Sequence, residues 1–344
     1  MEIKNSIKIK KGYSHSRNYI LTLQTRSVCI EEITKYIYTP NGYNSANMKS
    51  EKEVRIMNYR SKRTSENMAV ALFAGLIIMF LSSLIISEIK FPSAELRVLV
   101  YILFSVVYLL LPSFVFYAMQ KSAGFAPMQV KNSETGNVKY NVMVTFIGFV
   151  LVFVFGVLYA MAFPNAAGEG YSGEGIIYIL LTLISSCFIP AVMEEYLYRG
   201  LFCRELTICG NGFAIIVSAL IFGLVHFSFS VFPYAFVSGL IIGYVYLSTG
   251  SLKYTMAIHF LNNFLSYVFS ILYFYVSKNI YSAVLLIFIV VLCVSAMIVL
   301  YFLVPNGKVL SRGSGNVSAS AFLTFPMIIF IICAIIMNIL YDGI

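Results

Sequence analysis

Long apolar runs alternate with short polar loops from residue 68 to residue 344. About 20 apolar residues are enough to cross the hydrocarbon core of a bilayer as a helix. Each run must satisfy its own backbone hydrogen bonds in lipid, so we interpret all of them as helices rather than strands. Nine segments qualify, at 68–87, 98–119, 141–163, 176–199, 213–228, 232–249, 254–276, 281–304 and 321–341. The pattern predicts an all-α, polytopic transmembrane helical bundle of about eight to nine membrane helices.

The fifth and sixth segments are the shortest, and the residues FSVFP, at 229–233, mark the boundary between them. We therefore expect one of the two to be tilted, half-spanning or broken rather than a full membrane crossing.

Lys and Arg in the short loops predict the orientation, because cytoplasmic loops carry an excess of positive charge. If the N-terminus is inside, the cytoplasmic loops contain Lys121, Lys131, Lys139, Arg204, Lys253, Lys308 and Arg312. The outside loops then contain only Lys90, Arg97 and Lys278. The asymmetry favours an N-in protein with the C-terminus outside.

Residues 1–67 are polar and hold 13 of the 24 Lys and Arg residues. We interpret this segment as a basic cytoplasmic N-terminal tail that can lie on anionic membrane lipids, and residues 68–344 as the transmembrane domain. An internal start at Met57 also fits, because a basic segment followed by a long apolar one resembles an uncleaved membrane anchor.

Composition excludes an ordinary soluble domain. Residues of the hydrophobic set make up 59% of the chain and charged residues only 11%, whereas soluble domains average about 25% charged residues. We expect no nucleic-acid partner, because the basic residues beyond the tail lie in short membrane loops. The six cysteines include no CxxC pair, so neither a zinc ribbon nor a disulfide framework is indicated.

The fourth segment ends in AVMEEYLYRG, residues 191–200, with three ionisable side chains. On a helix Glu195 and Arg199 are i, i+4 neighbours, whereas Glu194 points about 100° away from Glu195. Arg199 can therefore pair with Glu195 and leave Glu194 free to act as a general base toward water. Pro190 lacks an amide donor and is expected to kink the helix just before these residues. The alternative is that all three charges snorkel to the cytoplasmic interface.

Two further segments contain polar side chains at helical spacing. His226 follows Phe222 by four residues in the fifth segment, and His259 precedes Asn263 by four residues in the seventh. Each could be a hydrogen-bonded packing group, which is a common use of polar residues in membrane helices.

These residues from three segments together favour a shared polar site. Glu194 and His226 can polarise a water molecule, while His259 and Asn263 can donate to the oxyanion that forms when the water attacks a peptide carbonyl. A zinc ion held by Glu194, His226 and His259 is a competing account, although the HExxH motif is absent. The residues do not separate metal-bound from metal-free activation of water, so the cofactor is either zinc or none.

The three motifs EExxxR (Glu194 to Arg199), FxxxH (Phe222 to His226) and HxxxN (His259 to Asn263) stand in successive membrane segments. In type and order they resemble the CPBP family, the Abi-like intramembrane proteases related to type II CAAX prenyl endopeptidases and to bacteriocin-processing and self-immunity proteins. The resemblance covers roughly residues 176–270.

The resemblance implies a role for each matching residue. Glu194 would be the water-activating base assisted by His226, Glu195 and Arg199 its structural and catalytic partners, and His259 with Asn263 the oxyanion-stabilising pair. Family members are often described as metalloproteases, although a glutamate-dependent, metal-free mechanism is also proposed. The family core is usually described with eight helices, one fewer than the nine segments counted above.

The family also suggests substrates and location. We expect a peptide or prepeptide substrate that is lipidated or carries a leader, and a multi-pass protein of a bacterial plasma membrane. The alternative is a non-catalytic protein that confers bacteriocin self-immunity or acts as a membrane scaffold.

Overall fold

The computed structural model describes residues 45–125, 137–163, 171, 175–303 and 319–342. Residues 1–44 of the expected tail, and Lys131, Lys308 and Arg312 of the expected loops, lie outside this range. The chain divides between Lys52 and Glu53 into two units. Of the first unit the structure describes residues 45–52, which are helical. The second unit contains the helical bundle.

The described residues form helices and no strand, which confirms the all-α expectation. The helices are α1 (Ser45–Glu88), α2 (Ala94–Ser122), α3 (Val138–Ala162), α4 (Ile176–Cys209), α5 (Asn211–Leu224), α6 (Phe232–Thr249), α7 (Leu252–Tyr275), α8 (Lys278–Leu303) and α9 (Phe325–Asp342). A 3₁₀ turn at Ala319–Phe322 precedes α9.

Seven of the described helices are long and apolar enough to cross a membrane, and the chain is a multi-pass membrane protein. The span within α1 is Val54–Glu88. α5 and the apolar part of α9 are shorter. Of the two segments whose length was in question, α6 reaches 18 residues and qualifies, whereas α5 has 14.

Local sequence signals explain where several helices begin and end. Ser93 accepts a hydrogen bond from the N–H of Leu96 at 3.2 Å at the start of α2, and Asn137 accepts one from Lys139 at 2.8 Å at the start of α3. Both are side chains that commonly satisfy the free N–H groups of a first turn. Gly250 ends α6 with a φ of 68°, a left-handed conformation that glycine adopts without a steric penalty.

α1 extends across residues 67 and 68, where the sequence suggested the boundary between tail and membrane domain. The polar residues just before this point bind the bundle: Asn67 donates to Gln120 at 2.8 Å, and Gln120 donates to Thr64 at 3.0 Å. All three side chains are buried. Met57 also lies within α1, before these contacts.

α4 is longer and less regular than the expected segment at 176–199. It continues to Cys209 and contains two π-helical stretches, Leu183–Phe188 and Glu195–Cys203. The N–H of Ile189 donates to the carbonyl of Ile184, five residues back, immediately before Pro190. Because π-helical turns are rare and frequently occur at functional sites, the irregularity draws attention to the segment that carries the paired glutamates.

Two apolar clusters form the core of the bundle. One joins residues of α1, α2, α4, α5 and α9, the other joins residues of α3 and α8, and α6 and α7 contribute to both. Small residues let helices approach closely within them. At Gly148 of α3, an added Cβ would lie 2.7 Å from a methyl carbon of Val245 and 3.1 Å from Ile258. α3 therefore packs directly against α6 and α7.

Replacing Gly148 with Leu should destabilise the bundle, because overpacking a filled core costs about 1–3 kcal/mol. The measurement is the thermal unfolding midpoint of the detergent-solubilised protein. Gly212→Ala is the matched control, since nothing lies within 4 Å of a Cβ built there. An equal midpoint for Gly148→Leu and Gly212→Ala would contradict the close approach.

Candidate active site

A buried charge cluster lies where α4 meets α5, α6 and α7. Nη1 of Arg199 donates to Oε1 of Glu195 at 3.0 Å, so the ion pair expected from the i, i+4 spacing is formed. Nδ1 of His259 donates to the same oxygen at 2.9 Å. Nη2 of Arg199 also faces the carbonyl oxygen of Gly239 at 3.5 Å. One carboxylate oxygen thus joins α4 to α7.

Burial excludes snorkelling for two of the three charges in AVMEEYLYRG. Glu195 is 0% exposed and Arg199 is 1% exposed. Long basic side chains that snorkel keep the charged head in water. Arg199 instead directs its guanidinium into the protein, where the carboxylate of Glu195 compensates for the lost hydration.

Glu194 lies beside this cluster but is partly exposed, with its side chain 18% accessible. Its Oε2 is 4.0 Å from Nε2 of His259, which is too long for a hydrogen bond. The sequence led us to expect that Glu194 faces away from the paired residues, whereas the structure directs it toward His259. The two ring nitrogens of His259 thus face two adjacent glutamates: Nδ1 is bonded to Glu195, and Nε2 lies near Glu194.

The ring of Phe222 contacts four polar or aromatic side chains of the site. The guanidinium carbon of Arg199 lies 4.4 Å from the ring centroid, a cation–π contact. The rings of His226, Tyr198 and His259 lie 4.9, 5.3 and 6.1 Å away, each close to edge-on. His226 is joined to the charge cluster through this phenyl ring.

His226 is not inside a helix, which corrects the expectation of a segment at 213–228. α5 ends at Leu224, and His226 is exposed in the turn that follows. The helix ends there because the side chain replaces a backbone donor: Nδ1 of His226 donates to the carbonyl of Phe222 at 2.7 Å. A carbonyl in the last turn of a helix lacks an intrahelical partner, so this contact also caps α5.

Asn263 docks α7 onto the irregular part of α4. Its Nδ2 donates to the carbonyl of Ser186 at 2.9 Å. In a regular helix that carbonyl would receive the N–H of residue 190, which is a proline without one. Asn262 donates to Oδ1 of Asn263 at 3.2 Å and to the hydroxyl of Tyr234 at 2.6 Å, which sets the orientation of the Asn263 amide.

Residues 176–265 match the family model described as type II CAAX prenyl endopeptidase Rce1-like. The match supports a CPBP-family protease domain at residues 176–265, called the CPBP domain below. The match covers about a quarter of the chain and includes all six residues that the sequence singled out. No curated protein and no solved structure matches the chain.

The CPBP domain extends from α4 into α7, and helices outside it add residues that the sequence did not reveal. Tyr108 in α2 and Tyr198 in α4 lie near each other and near Glu194. Both tyrosines line a small pocket together with Leu72, Gly75, Leu76, Pro112, Leu197, Val225 and Phe227. The pocket lies between α1, α2, α4 and the turn that carries His226.

The described residues of the CPBP domain do not fit the zinc site that the sequence left open. Zinc requires three or four His, Cys, Asp or Glu ligands around one point. Within residues 45–125, 137–163, 171, 175–303 and 319–342, no three such side chains form a group able to hold a metal ion. Nδ1 of His226 is bonded to the Phe222 carbonyl and Nδ1 of His259 to Glu195, so one nitrogen of each ring is already used.

Arg199→Met should strongly destabilise the CPBP domain, because it leaves the buried carboxylate of Glu195 without its cation. Removing one partner of a buried ion pair costs about 3–5 kcal/mol. Adding Glu195→Gln should recover part of the loss, since no unpaired charge then remains. Unfolding of the purified variants in detergent measures both effects.

The control is Arg63→Met, which breaks the Arg63–Glu66 pair, whose side chains are 48% and 25% exposed. An exposed pair contributes only about 0–1 kcal/mol. If Arg199→Met cost no more than Arg63→Met, the ion pair in α4 would not be buried as described.

Proposed function

We propose that this protein is an intramembrane endopeptidase in which Glu194 activates the water that hydrolyses a peptide bond. The observation that carries the proposal is the contrast between two neighbouring carboxylates. Glu195 is fully buried and bonded to Arg199 and His259, whereas Glu194 is partly exposed and within 4.0 Å of His259. Of these two carboxylates, Glu194 is the one that combines access to water with a position beside His259, the proposed oxyanion donor.

His226 assists through its second ring nitrogen. Nδ1 faces a carbonyl oxygen, which can only accept, so Nδ1 carries the proton in the neutral ring. Nε2 then presents a lone pair on an exposed side chain. In this arrangement His226 accepts a hydrogen bond from the attacking water while Glu194 takes the proton from it.

His259 and Asn263 stabilise the oxyanion. Since Nδ1 of His259 donates to Glu195, the ring donates from Nε2 only when it carries both protons. The formal charges of Glu194, Glu195, Arg199 and His259 then sum to zero. The Asn263 amide has two N–H groups, and one of them is used on Ser186. The other is the second donor to the oxyanion.

One proton of the water passes first to Glu194 and then to the leaving group. The water oxygen bonds to the carbonyl carbon as Glu194 accepts a proton, and the tetrahedral intermediate carries its negative charge toward His259 and Asn263. The carbon–nitrogen bond then breaks, and Glu194 returns the proton to the leaving amine. No step requires a serine or cysteine nucleophile.

The substrate is a membrane-associated peptide, either lipidated near its C-terminus or preceded by a leader. The Rce1-like match supports CAAX-type protease activity. The positive charge of the N-terminal segment and of the expected inner loops supports an active site that opens to the cytoplasm. Peptide maturation, including bacteriocin processing, is the role that suits a leader-containing substrate.

Glu194→Gln should lower the cleavage rate about 10²- to 10⁴-fold, because a general base contributes an effect of this size. The assay uses purified protein in lipid vesicles with one panel of C-terminally farnesylated peptides and one of leader-containing prepeptides, and it follows products by mass spectrometry. The panel that is cleaved identifies the substrate class.

Glu66→Gln is the matched control, since Glu66 pairs with Arg63 at the surface. The control should retain wild-type cleavage and show that loss of a carboxylate elsewhere in the helical bundle is tolerated. Unchanged cleavage in Glu194→Gln would refute the assigned base. Protection from a peptide toxin that persists in Glu194→Gln would favour a binding role in self-immunity instead.

Cleavage should persist after prolonged treatment with a strong zinc chelator, because the described donors do not assemble a metal site. Metal analysis of the treated, active protein completes the measurement. Loss of activity on chelation and recovery on adding zinc would overturn the side-chain mechanism.

A further inference from the structure

The turn between α5 and α6, residues 225–231, carries His226 in a conformation that is costly on its own. Phe227, the next residue, has a φ of 51°. A positive φ is uncommon outside glycine and is a genuine outlier for a bulky side chain. Such a residue persists when surrounding contacts hold it, so the contacts around this turn determine where His226 lies.

The last four carbonyls of α5 each have a donor. Ile221 accepts from the N–H of Val225 at 3.1 Å, and Gly223 accepts from the N–H of His226 at 3.3 Å. Phe222 accepts from the His226 side chain at 2.7 Å. The carbonyl of Leu224, which ends the helix, accepts from the N–H of Phe227 at 3.3 Å. This last contact is longer than an ordinary N–H···O hydrogen bond.

A second donor to Leu224 comes from the far end of the chain. Nδ2 of Asn338 in α9 donates to the Leu224 carbonyl at 3.0 Å. It also donates to the carbonyl of Ala334, one turn earlier in α9, at 2.7 Å. Asn338 is 0% exposed. Both neighbours are acceptors, so the amide nitrogen, not the oxygen, must face them. The two N–H groups of one amide thus bridge α9 to the end of α5.

We propose that Asn338 is a positioning residue for His226, acting through the carbonyl of Leu224. The idea rests on the proposed role of His226 and extends it to a helix beyond the matched domain. A polar side chain in the apolar helix α9 costs free energy unless it is hydrogen-bonded. The Asn338 amide forms one of its hydrogen bonds with Leu224, the last residue of α5.

The chain of contacts is short. Asn338 donates to the Leu224 carbonyl, and the N–H of Phe227 donates to the same oxygen. His226 lies between Leu224 and Phe227 in the sequence. Without the amide, the Leu224 carbonyl keeps only its 3.3 Å contact with the N–H of Phe227. The imidazole then loses its fixed relation to the Phe222 carbonyl, and with it the preference for a proton on Nδ1.

Histidine-selective ¹⁵N NMR tests this preference without any substrate. The sequence has three histidines, His15, His226 and His259, so His15→Gln and His259→Gln assign the signals. At a pH where the rings are neutral, wild-type His226 should show mainly the Nδ1–H tautomer, whereas free imidazole side chains in water favour Nε2–H. Asn338→Leu should lower the Nδ1–H to Nε2–H ratio about 2- to 10-fold, the effect of losing one hydrogen bond.

Asn338→Ser is the second variant. Its hydroxyl can still bond to the Ala334 carbonyl within α9 but is too short to reach Leu224. It should therefore shift the tautomer ratio as Asn338→Leu does, even if Asn338→Leu folds poorly. Thr324→Val is the matched control, because it removes a buried hydroxyl that bonds to Ser65 next to the other end of α9. It should leave His226 unchanged.

Cleavage kinetics separate the inference from the function on which it rests. Asn338→Ser should lower kcat with little change in KM, and it should add nothing in a His226→Ala background, since both changes remove the same contribution. Full additivity of the two losses, or an unchanged tautomer ratio in Asn338→Ser, would overturn the positioning role. Full activity of His226→Ala alone would instead refute the function proposed for His226.

Discussion

Arg199 and Glu195 lose their hydration when the helices pack around them, and their contact with each other is the main compensation available. The pair lies within α4, but its environment comes from three other helices. Phe222 of α5 covers the guanidinium, the α6 backbone approaches it at Gly239, and His259 of α7 donates to Oε1 of the carboxylate. A Cβ at Gly239 would lie 3.0 Å from the Cβ of Ala219, so α6 also packs closely against α5 beside the pair. Satisfying one buried charge pair therefore fixes the relative positions of four helices.

The same constraint explains how two adjacent, chemically identical residues acquire different environments. Glu195 is committed to the interior because Arg199 and His259 use its oxygen. Glu194, one residue earlier, is free of strong partners and retains contact with the outside. The buried glutamate supplies a rigid, charge-balanced support, and this support allows its neighbour to remain available for chemistry.

Sequence reasoning succeeded where a local rule applied. Hydropathy predicted the membrane helices, and the spacing of Glu195 and Arg199 predicted their ion pair. It failed where distant residues determine local structure. At the end of α5 the carbonyls of Phe222 and Leu224 accept from the side chains of His226 and Asn338, and Asn338 is more than 100 residues away in sequence. The direction of Glu194 depends on how α7 presents His259, and the role of Phe222 depends on three helices meeting around it. Helical periodicity contains none of this information.

The π-helical stretch Glu195–Cys203 has a consequence for how α4 is compared with other helices. Each π turn accommodates one residue more than an α turn. A helical wheel drawn from Ile176 therefore falls out of phase at Leu183–Phe188 and again beyond Glu195, by about 100° for each extra residue. Faces assigned by counting from the N-terminal half are then wrong for residues such as Tyr198 and Arg204. Removing a residue from the stretch would rotate everything that follows away from its present neighbours. The irregular pitch is therefore what aligns the two halves of α4 with different partners.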